Sequence, residues 1–384
     1  MVERNQSATE HLTDRERTSG VAIVATWIQM SGDSTLAHAM SSAHRLIVVG
    51  SSRIGFAAIE RFVDGDGGAH TAALPSEQVL RWVAGVVGGM RVVSIENPSR
   101  STHRPSGTFR VRVEGTSTGA TDLILRISVP RWITDGMVIT NARALRLAET
   151  HGLAGPRLIA ADLDGRASGT VATLETFLSG SSGSPPMVSA ARLREAGAAI
   201  ARVSAVVLAP QADLPHRPRP CAADDRAADR RRGRTPTTPL LQQADERVRS
   251  HGVPAAASVF LHGDVWGGNM LWEGDRCVAL IDWKGAGVGD PGVDLGSLRM
   301  QMALQYGQDA PAQVLEGWQR QAGRAPIAVP YWDAVAALNT PTVIHGEWLP
   351  GFAGDGSPLD TAAVTERRDA FLRTALDQLP ARIS

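Results

Sequence analysis

Two carboxylates and an amide between residues 264 and 282 indicate the chemistry of this chain. Asp264 follows the short apolar run Ser258–Leu261, Asn269 comes five residues later, and Asp282 ends a second apolar run. Mg²⁺ prefers oxygen ligands from one or two side chains, completed by substrate phosphates, and this fits Asn269 and Asp282. Asp264 is then left to orient a nucleophile as a general base. The spacing predicts metal-assisted chemistry on a phosphate.

A hairpin is the element that would bring these groups together. Ser258–Leu261, Asn269–Trp272 and Cys277–Ile281 read as short buried strands, and Glu273–Arg276 has turn chemistry between the last two. A hairpin there returns Asp282 to the neighbourhood of Asn269. Glycines allow the loop before it to fold tightly, and they are Gly263, Gly267 and Gly268.

Each residue alone has a plainer interpretation. An Asp after a strand is usually a turn or cap residue, and His262 reads as a structural histidine. The combination is more specific, because protein kinases space three catalytic groups in this way. There the first Asp accepts the hydroxyl proton, and the Asn and the later Asp hold Mg²⁺ at the nucleotide phosphates. The set Asp264, Asn269 and Asp282 therefore favours phosphoryl transfer to a hydroxyl.

The chain resembles the aminoglycoside phosphotransferase and choline kinase-like family. Three segments carry the resemblance in the order and at the spacing of the family: His262-Gly263-Asp264 with Asn269, Ile281-Asp282-Trp283, and Gly289-Asp290-Pro291 with Asp294-Leu295. The resemblance covers about residues 75 to 384, and its motifs are specific between 260 and 296.

The family resemblance implies a fold and roles for these residues. The fold would be α+β and two-lobed like a protein kinase, with a small β-rich N-lobe, a larger mainly helical C-lobe and the nucleotide between them. We expect an N-terminal extension over 1–74, the N-lobe over 75–178 and the C-lobe over 179–384. By resemblance Asp264 is the base, with Asn269 beside it in the catalytic loop, and Asn269 and Asp282 are the metal ligands.

Asp290 and Asp294 resemble the residues that brace the catalytic loop in this family. Asp290-Pro291 is also a good helix start, with Asp as N-cap and Pro at the first helical position. We favour a structural role for both residues, and we expect a helix over Asp294–Tyr306 with Leu295, Leu298 and Met302 on one face.

The nucleotide side is a weaker match. Asp122–Ile127 reads as a buried strand, and the resemblance implies that Arg126 reaches the nucleotide phosphates; a strand-edge arginine is the alternative. Met137–Thr150 reads as a helix, with Asn141 where the family has a glutamate that pairs with the basic residue. Thr173–Gly180 resembles the hinge whose backbone meets adenine, which places Glu175 and Phe177 at the nucleotide. The Phe177 side chain is expected to be a wall or core residue.

Two departures from the family pattern keep a rival function open. The loop expected to cover the phosphates, between Val92–Ile95 and Phe109–Val113, lacks the G-x-G-x-x-G pattern, and Asn141 replaces the helix glutamate. A pseudokinase or nucleotide-binding regulator would explain both. A protein kinase is disfavoured, because Gly289-Asp290-Pro291 follows Asp282 within eight residues, where an activation segment would need more chain.

Composition limits the classes of partner. The 384 residues carry 39 basic and 39 acidic side chains, so no overall field attracts nucleic acid. Two cysteines do not suggest a disulfide framework or a metal site, and we expect Cys277 to be a small core residue. No apolar run approaches 18 residues, so no membrane segment is predicted, and the cytoplasm is the expected location. The sequence leaves the oligomeric state open.

Three further segments have more than one interpretation. Residues 211–236 contain an arginine run that is either a solvated or mobile segment or a lid over an anionic substrate. Trp318, Trp332 and Trp348 line a substrate pocket or pack in the core, and core packing is favoured for at least two of them. The arginines of 211–236 and the mixed charges of 301–350 favour a neutral or anionic, partly apolar acceptor. Before residue 75, Leu46–Gly50 could be a strand.

The sequence as a whole predicts a Mg²⁺- and ATP-dependent (or GTP-dependent) phosphotransferase. Its partner would be a small molecule with a hydroxyl group, of the antibiotic, sugar or amino-alcohol class.

Overall fold

A computed structural model gives the fold. It describes residues 74–96, 107–115, 119–130, 132–220, 224–255, 257–345 and 360–380, and the backbone of three short strands before residue 74. Contacts within the chain divide it into two compact units. One comprises Met1–Ile133 and Asp164–Leu174, and the other Thr134–Leu163 and Glu175–Ser384. The lobe boundaries given above stay a prediction.

Antiparallel strands dominate the first unit. Its strands are β1 (Ile47–Val48), β2 (Arg61–Val63), β3 (Ala69–Thr71), β4 (Arg91–Glu96), β5 (Thr108–Gly115) and β6 (Gly119–Ile127). In the main sheet β4, β5 and β6 are consecutive, β1 pairs with the outer edge of β4, and β8 (Ala172–Thr176) follows β6. The strand expected within Leu46–Gly50 is therefore present as β1.

Alternating side chains form the core of this sheet. Phe109, Val111 and Val113 of β5 are buried, and the cross-strand partner of Val111 is the buried Leu123. Helix α1 (Glu77–Val86) starts where Ser76 accepts a hydrogen bond from the Val79 amide, at 3.3 Å. A serine in this position satisfies one of the free amides at a helix start.

Helices dominate the second unit. They are α2 (Asp135–Thr150), α3 (Ala190–Val203), α4 (Arg226–Arg231), α5 (Pro239–His251), α6 (Gly292–Tyr306), α7 (Ala310–Ala322), α8 (Val329–Leu338) and α9 (Thr361–Gln378). Its strands are short: β7 (Leu158–Asp162), β9 (Ser181–Ser182), β10 (Val259–Leu261), β11 (Met270–Glu273), β12 (Arg276–Leu280) and β13 (Gly287–Gly289). The predicted fold class, α+β with a β-rich N-terminal part and a mainly helical C-terminal part, is confirmed.

The largest core of the second unit lies where α3, α6 and α7 meet the β11–β12 hairpin. The predicted apolar face of α6 is confirmed, because Leu295, Leu298 and Met302 are all buried. Trp318 and Trp332 are buried too, which confirms core packing for these two; Trp348 lies outside the described residues. Cys277 is buried as expected. None of the described helices is both long and apolar enough to cross a membrane.

The arginine run within 211–236 is solvated over most of its length, as one interpretation of the sequence had it: Arg231, Arg232 and Arg234 are exposed, and Arg230 is the exception. Arg230 lies on α4, is buried, and donates hydrogen bonds to the carbonyl oxygens of Thr340 (2.9 Å) and Leu338. Burial is the main cause that lowers the pKa of its guanidinium to about 10. Arg231 pairs with Asp245 at 2.5 Å. Arg230 therefore anchors one face of α4 to the helical body, and the rest of the run faces solvent.

Candidate functional site

The catalytic-loop motif starts at the end of a buried strand. Strand β10 pairs antiparallel with β13, with Leu261 opposite Gly287, so the chain segments before Asp264 and after Asp282 run side by side. All three residues of β10 are buried. The loop that carries Asp264 therefore leaves from a fixed point in the core.

A buried carboxylate holds the first turn of this loop. Asp294 of α6 accepts hydrogen bonds from the backbone amides of His262, at 2.7 Å, and Gly263, at 2.9 Å. Complete burial raises the pKa of the Asp294 carboxyl, and these two donors and the nearby His262 act in the opposite direction. The loop-bracing role that the family resemblance suggested for Asp294 agrees with these contacts.

Asp290 acts at the start of helix α6. Its carboxylate accepts a hydrogen bond from the Gly292 amide at 2.7 Å, as a residue at a helix N-terminus would. Burial raises the pKa of this carboxyl, and the bond from Gly292 acts against the change. The structural role favoured for Asp290 agrees with this contact, but the expected cap position is wrong by one residue, because Pro291 is the N-cap and the helix begins at Gly292.

His262 is a structural residue, as its plainer interpretation held. Its Nε2 lies 2.9 Å from the carbonyl oxygen of Ile281, so this nitrogen carries the proton and donates. Its Nδ1 is buried and has no hydrogen-bond partner among the described residues. The ring packs against Trp283, with 4.6 Å between ring centroids. His262 thereby ties the catalytic loop to the strand end that precedes Asp282.

A close backbone approach explains the glycine at position 263. Gly263 has φ +78°, a conformation that residues with a side chain rarely adopt. A Cβ atom at this position would lie 2.0 Å from the carbonyl oxygen of Gly285. The loop before Asp264 and the loop after Asp282 are therefore in direct contact, and only glycine fits between them.

The β11–β12 hairpin brings Asn269 and Asp282 together as predicted. Met270 pairs with Leu280, and the Ile281 amide donates to the Asn269 carbonyl oxygen at 2.9 Å. The side-chain nitrogen of Asn269 donates to the backbone oxygen of Asp264 at 2.8 Å. Through these bonds the structure brings Asp264, Asn269 and Asp282 into one cluster.

Asp282 adopts an unusual backbone conformation. Its φ of 65° and ψ of 59° lie in the left-handed region, where non-glycine residues are uncommon and Asp and Asn are the best tolerated. The turn after it is fixed by Trp283, whose indole nitrogen donates to the Leu280 oxygen at 2.9 Å. Backbone strain of this kind tends to persist where function requires it.

Arg217 anchors the next part of the same loop, and no motif in the sequence pointed to it. Its guanidinium donates through Nε and Nη2 to the Ala286 carbonyl oxygen, at 3.0 and 2.9 Å. Its own backbone amide donates to the Val288 oxygen at 2.8 Å. Burial lowers the pKa of the Arg217 guanidinium. The loop that follows Asp282 is thus held from both sides.

Lys284 is a charged member of the cluster that the sequence reasoning missed. Its ammonium donates a hydrogen bond to Asp282 Oδ2 and lies 3.9 Å from Asp264 Oδ2. The three side chains are between 21% and 26% exposed, so the pair is partly shielded from water. The signal was available, since Lys284 is the single lysine of the sequence and lies two residues after Asp282.

The donor set of this cluster fits Mg²⁺. The bond from the Asn269 side-chain nitrogen to the Asp264 backbone leaves the amide oxygen as the end that can bind a metal, and Asp282 adds a carboxylate that already attracts a cation, the ammonium of Lys284. Two oxygen ligands completed by phosphates are what Mg²⁺ commonly uses. Among the described residues, no group of three or more His, Cys, Asp or Glu side chains could hold a metal ion.

The residues predicted on the nucleotide side are placed as follows. In the first unit, Arg126 of β6 is almost fully buried and donates to Thr108 Oγ1 at 3.1 Å. In the second unit, Glu175 is buried and accepts a hydrogen bond from Asn141 Nδ2 at 2.6 Å. Their nucleotide contacts stay a prediction. Of the two positions expected for the Phe177 side chain, the core is wrong, because the side chain is 37% exposed. A position in the wall of the nucleotide site stays a prediction.

The loop expected to cover the phosphates lies largely outside the described residues, which omit 97–106. The helix expected over Met137–Thr150 is confirmed as α2 and begins slightly earlier, because Thr134 caps it by accepting from the Met137 amide. Asn141 lies on the buried face of this helix. Its bond to Glu175 is a contact that the sequence did not indicate.

Comparison with known proteins identifies the family. The family model described as "Phosphotransferase enzyme family" matches residues 106–338. The chain belongs to this family. The predicted enzyme class, a phosphotransferase that acts on an alcohol group of a small molecule, is confirmed by this membership. The match includes every catalytic-loop and metal-site residue described above.

Individual relatives are more distant. A viomycin phosphotransferase from Streptomyces vinaceus is 35% identical over 72 residues, which are 17% of this chain and 24% of the relative. The chain thus aligns with about a quarter of that relative's length. A Ralstonia eutropha protein provisionally assigned as an aminoglycoside phosphotransferase has 16% identity and a TM-score of 0.51, with 78% of this chain and 97% of that chain covered. A macrolide 2'-phosphotransferase from Brachybacterium faecium has 20% identity and a TM-score of 0.49, with 80% and 100% covered.

Proposed function

We propose that the protein transfers the γ-phosphoryl group of ATP or GTP, with Mg²⁺, to a hydroxyl group of a small molecule. One observation carries the proposal: Asp264, Asn269 and Asp282 are brought into one cluster by the bonds from Asn269 to Asp264 and from Ile281 to Asn269. Family membership supplies the reaction class. The cluster supplies a base and two metal ligands in one place.

Each residue has a distinct role in this proposal. The Asp264 carboxylate accepts the proton of the acceptor hydroxyl while the hydroxyl oxygen attacks the γ-phosphorus, the bond to the β-phosphate oxygen breaks and the nucleoside diphosphate leaves. Asn269 holds the Asp264 backbone and, with Asp282, would bind Mg²⁺. When bound, the metal would supply positive charge at the phosphates of the nucleotide. Asp294 and His262 keep the loop in place, because they anchor the backbone immediately before Asp264.

The acceptor is proposed to be a hydroxylated natural product of the antibiotic, sugar or amino-alcohol class. The local similarity to a viomycin phosphotransferase makes antibiotics the first group to test. The preference for a neutral or anionic, partly apolar acceptor stays a prediction, and contacts within the protein weaken its grounds. Several arginines of 211–236 have partners within the protein, namely Asp225 for Arg219, Asp224 for Arg226, Asp245 for Arg231 and Asp229 for Arg234. Trp318 and Trp332 lie in the core.

The experiment is a nucleotide-consumption screen with the full chain, Mg²⁺, and either ATP or GTP. Acceptors should include a viomycin-like cyclic peptide, a macrolide, an aminoglycoside, choline and simple sugars, and products should be identified by mass. We expect acceptor-dependent nucleotide consumption and a singly phosphorylated product for at least one class. Tight nucleotide binding without consumption across the panel, including the antibiotic arms, would instead support the nucleotide-binding regulator.

A further inference from the structure

Lys284 holds an unusual position for a side chain of its type. It is the single lysine among the 39 basic residues of the chain, and all the others are arginine. It lies between the two carboxylates of the candidate site, hydrogen-bonded to Asp282 and 3.9 Å from Asp264. The residues around it are fixed, because Trp283 on one side is fully buried and Ala286 on the other is held by Arg217.

Lysine and arginine would act differently here. The lysine ammonium is a compact point charge on a flexible four-carbon stem, whereas an arginine guanidinium is a rigid fork that binds a carboxylate through two bonds. A side chain that must leave a carboxylate and return to it is better served by the ammonium. The surrounding loop can stay in place while the stem of Lys284 moves, since the backbone of the turn is anchored independently of the ammonium.

The ammonium and a metal ion compete for the same oxygen atoms. Lys284 donates to Asp282 Oδ2, and Mg²⁺ bound by Asp282 would need the carboxylate oxygens as ligands at about 2.0–2.1 Å. The ammonium of Lys284 and a metal ion at the same carboxylate would repel each other, and the partial burial of Lys284 and Asp282 reduces screening by water. Metal and ammonium therefore cannot both keep their full contact with Asp282.

We propose that Lys284 is a tethered counter-ion for the metal site. Without metal its ammonium neutralises Asp282 and holds it close to Asp264, and metal binding displaces the ammonium from Asp282. The side chain then stays near Asp264, its second carboxylate partner. Lys284 is a positioning residue in this scheme, and the inference rests on the proposed function for the assignment of Asp282 as a metal ligand.

Metal binding to the nucleotide-free full chain tests the competition. Lys284→Met keeps the length of the side chain without its charge, and Lys284→Arg keeps the charge. Removal of the competing cation should tighten Mn²⁺ or Mg²⁺ binding at least about two- to fivefold in the Met variant, the range expected for a partly exposed ion pair. The Arg variant should bind metal no more tightly than the wild type. A Met variant with unchanged or weaker metal affinity would overturn the proposal.

The single lysine gives a second readout that does not depend on activity. In protein labelled with ¹³C-lysine, the side-chain signal reports Lys284 alone. Addition of Mg²⁺ should move this signal with the affinity measured by calorimetry, and Asp282→Asn should move it without metal and abolish the response. A signal that stays fixed while metal binds would overturn the counter-ion role and leave the proposed function standing. Failure of the nucleotide-free wild type to bind metal at all would also overturn the counter-ion role, and the proposed function would then be decided separately by the nucleotide-consumption screen, in which phosphates complete the metal site.

Discussion

Replacement of Asp294 separates loop positioning from general stability. In Asp294→Ala, the buried amides of His262 and Gly263 lose the acceptors that they reach at 2.7 and 2.9 Å. A buried donor left without a partner costs about 1–3 kcal/mol, so two of them cost about 2–6 kcal/mol. Removal of a buried charge recovers part of this, because burial raises the pKa of this carboxyl and so disfavours its ionised form. We expect a net loss of about 2–5 kcal/mol in the free energy of unfolding.

The loss of Asp294 should also reduce turnover. The two amides directly precede Asp264, so their release displaces the base, and a small misplacement of a catalytic group lowers rate by about 10²-fold. Asp290→Ala is the matched control, since Asp290 accepts one amide at the start of the same helix and does not contact the catalytic loop in the described contacts. The free energy of unfolding of Asp290→Ala should fall by about 0.5–2 kcal/mol, and its turnover should stay at the wild-type value.

The pH dependence gives a signature of the same carboxyl. Burial raises the pKa of Asp294 in the folded chain above the ordinary value of 3.8. The stability linked to this group is therefore fully present below pH 3.8 and is lost as the pH rises through the folded value. Compared with Asp294→Asn, which does not titrate there, the wild type should gain in free energy of unfolding as the pH falls from 7 towards 4.

Urea denaturation and steady-state kinetics measure these effects on the same samples. A loss of less than about 0.5 kcal/mol in the free energy of unfolding of Asp294→Ala, with wild-type turnover, would show that the two hydrogen bonds neither stabilise nor position the loop. The positioning role of Asp294 would also fail if Asp290→Ala reduced turnover as much as Asp294→Ala, because the effect would then belong to helix α6 as a whole.

Two further predictions concern packing and the thiol. Gly263→Ala should lower the free energy of unfolding by about 2–5 kcal/mol, because its Cβ would lie 2.0 Å from the Gly285 oxygen and its φ is +78°. Gly274→Ala is the control: with φ +60° and open space around it, it should lose about 1–2 kcal/mol. Equal losses in thermal unfolding would exclude the close contact at Gly263. Burial raises the pKa of the Cys277 thiol from 9.0 to about 11, so its contribution to stability is present below pH 9.0 and lost as the pH rises through about 11. Across that pH range, the free energy of unfolding should fall by about 2–3 kcal/mol more in the wild type than in Cys277→Ala. Parallel curves of this free energy against pH would contradict the raised pKa of Cys277.

The sequence predicted the centre of the site because local rules determine it. A turn between two apolar runs makes a hairpin, and a hairpin fixes the distance between Asn269 and Asp282 whatever surrounds it. The role of Asp294 followed from a family pattern, and its geometry followed from helix α6 starting just before it. These features depend on residues that are close in the chain or that occur in the order of a known family motif.

The remaining features depend on contacts between distant segments. Arg230 belongs to a run that reads as solvated, and its burial comes from carbonyl oxygens at the end of α8. Arg217 meets Ala286, and Asn141 meets Glu175, through packing that no spacing rule encodes. The left-handed backbone of Asp282 is compatible with the residue type and is not required by it.

Lys284 shows a different limit of prediction from the sequence. Its position two residues after Asp282 was visible, but a long flexible side chain can point in many directions. The choice between solvent, Asp264 and Asp282 is set by the turn over Trp283–Gly285 and by the anchored loop after it. Lys284 thus joins the candidate site through the turn that carries it.

The most direct test of the proposed mechanism is the effect of Asp264→Asn on turnover and on nucleotide binding, measured with an acceptor found in the screen. Asn has nearly the same shape as Asp but cannot accept the hydroxyl proton, and general base catalysis contributes about 10²–10⁴-fold. We expect kcat to fall by about this factor while calorimetry shows unchanged Mg²⁺-nucleotide affinity. A variant with near-normal kcat would contradict the assignment of Asp264 as the base and with it the proposed mechanism.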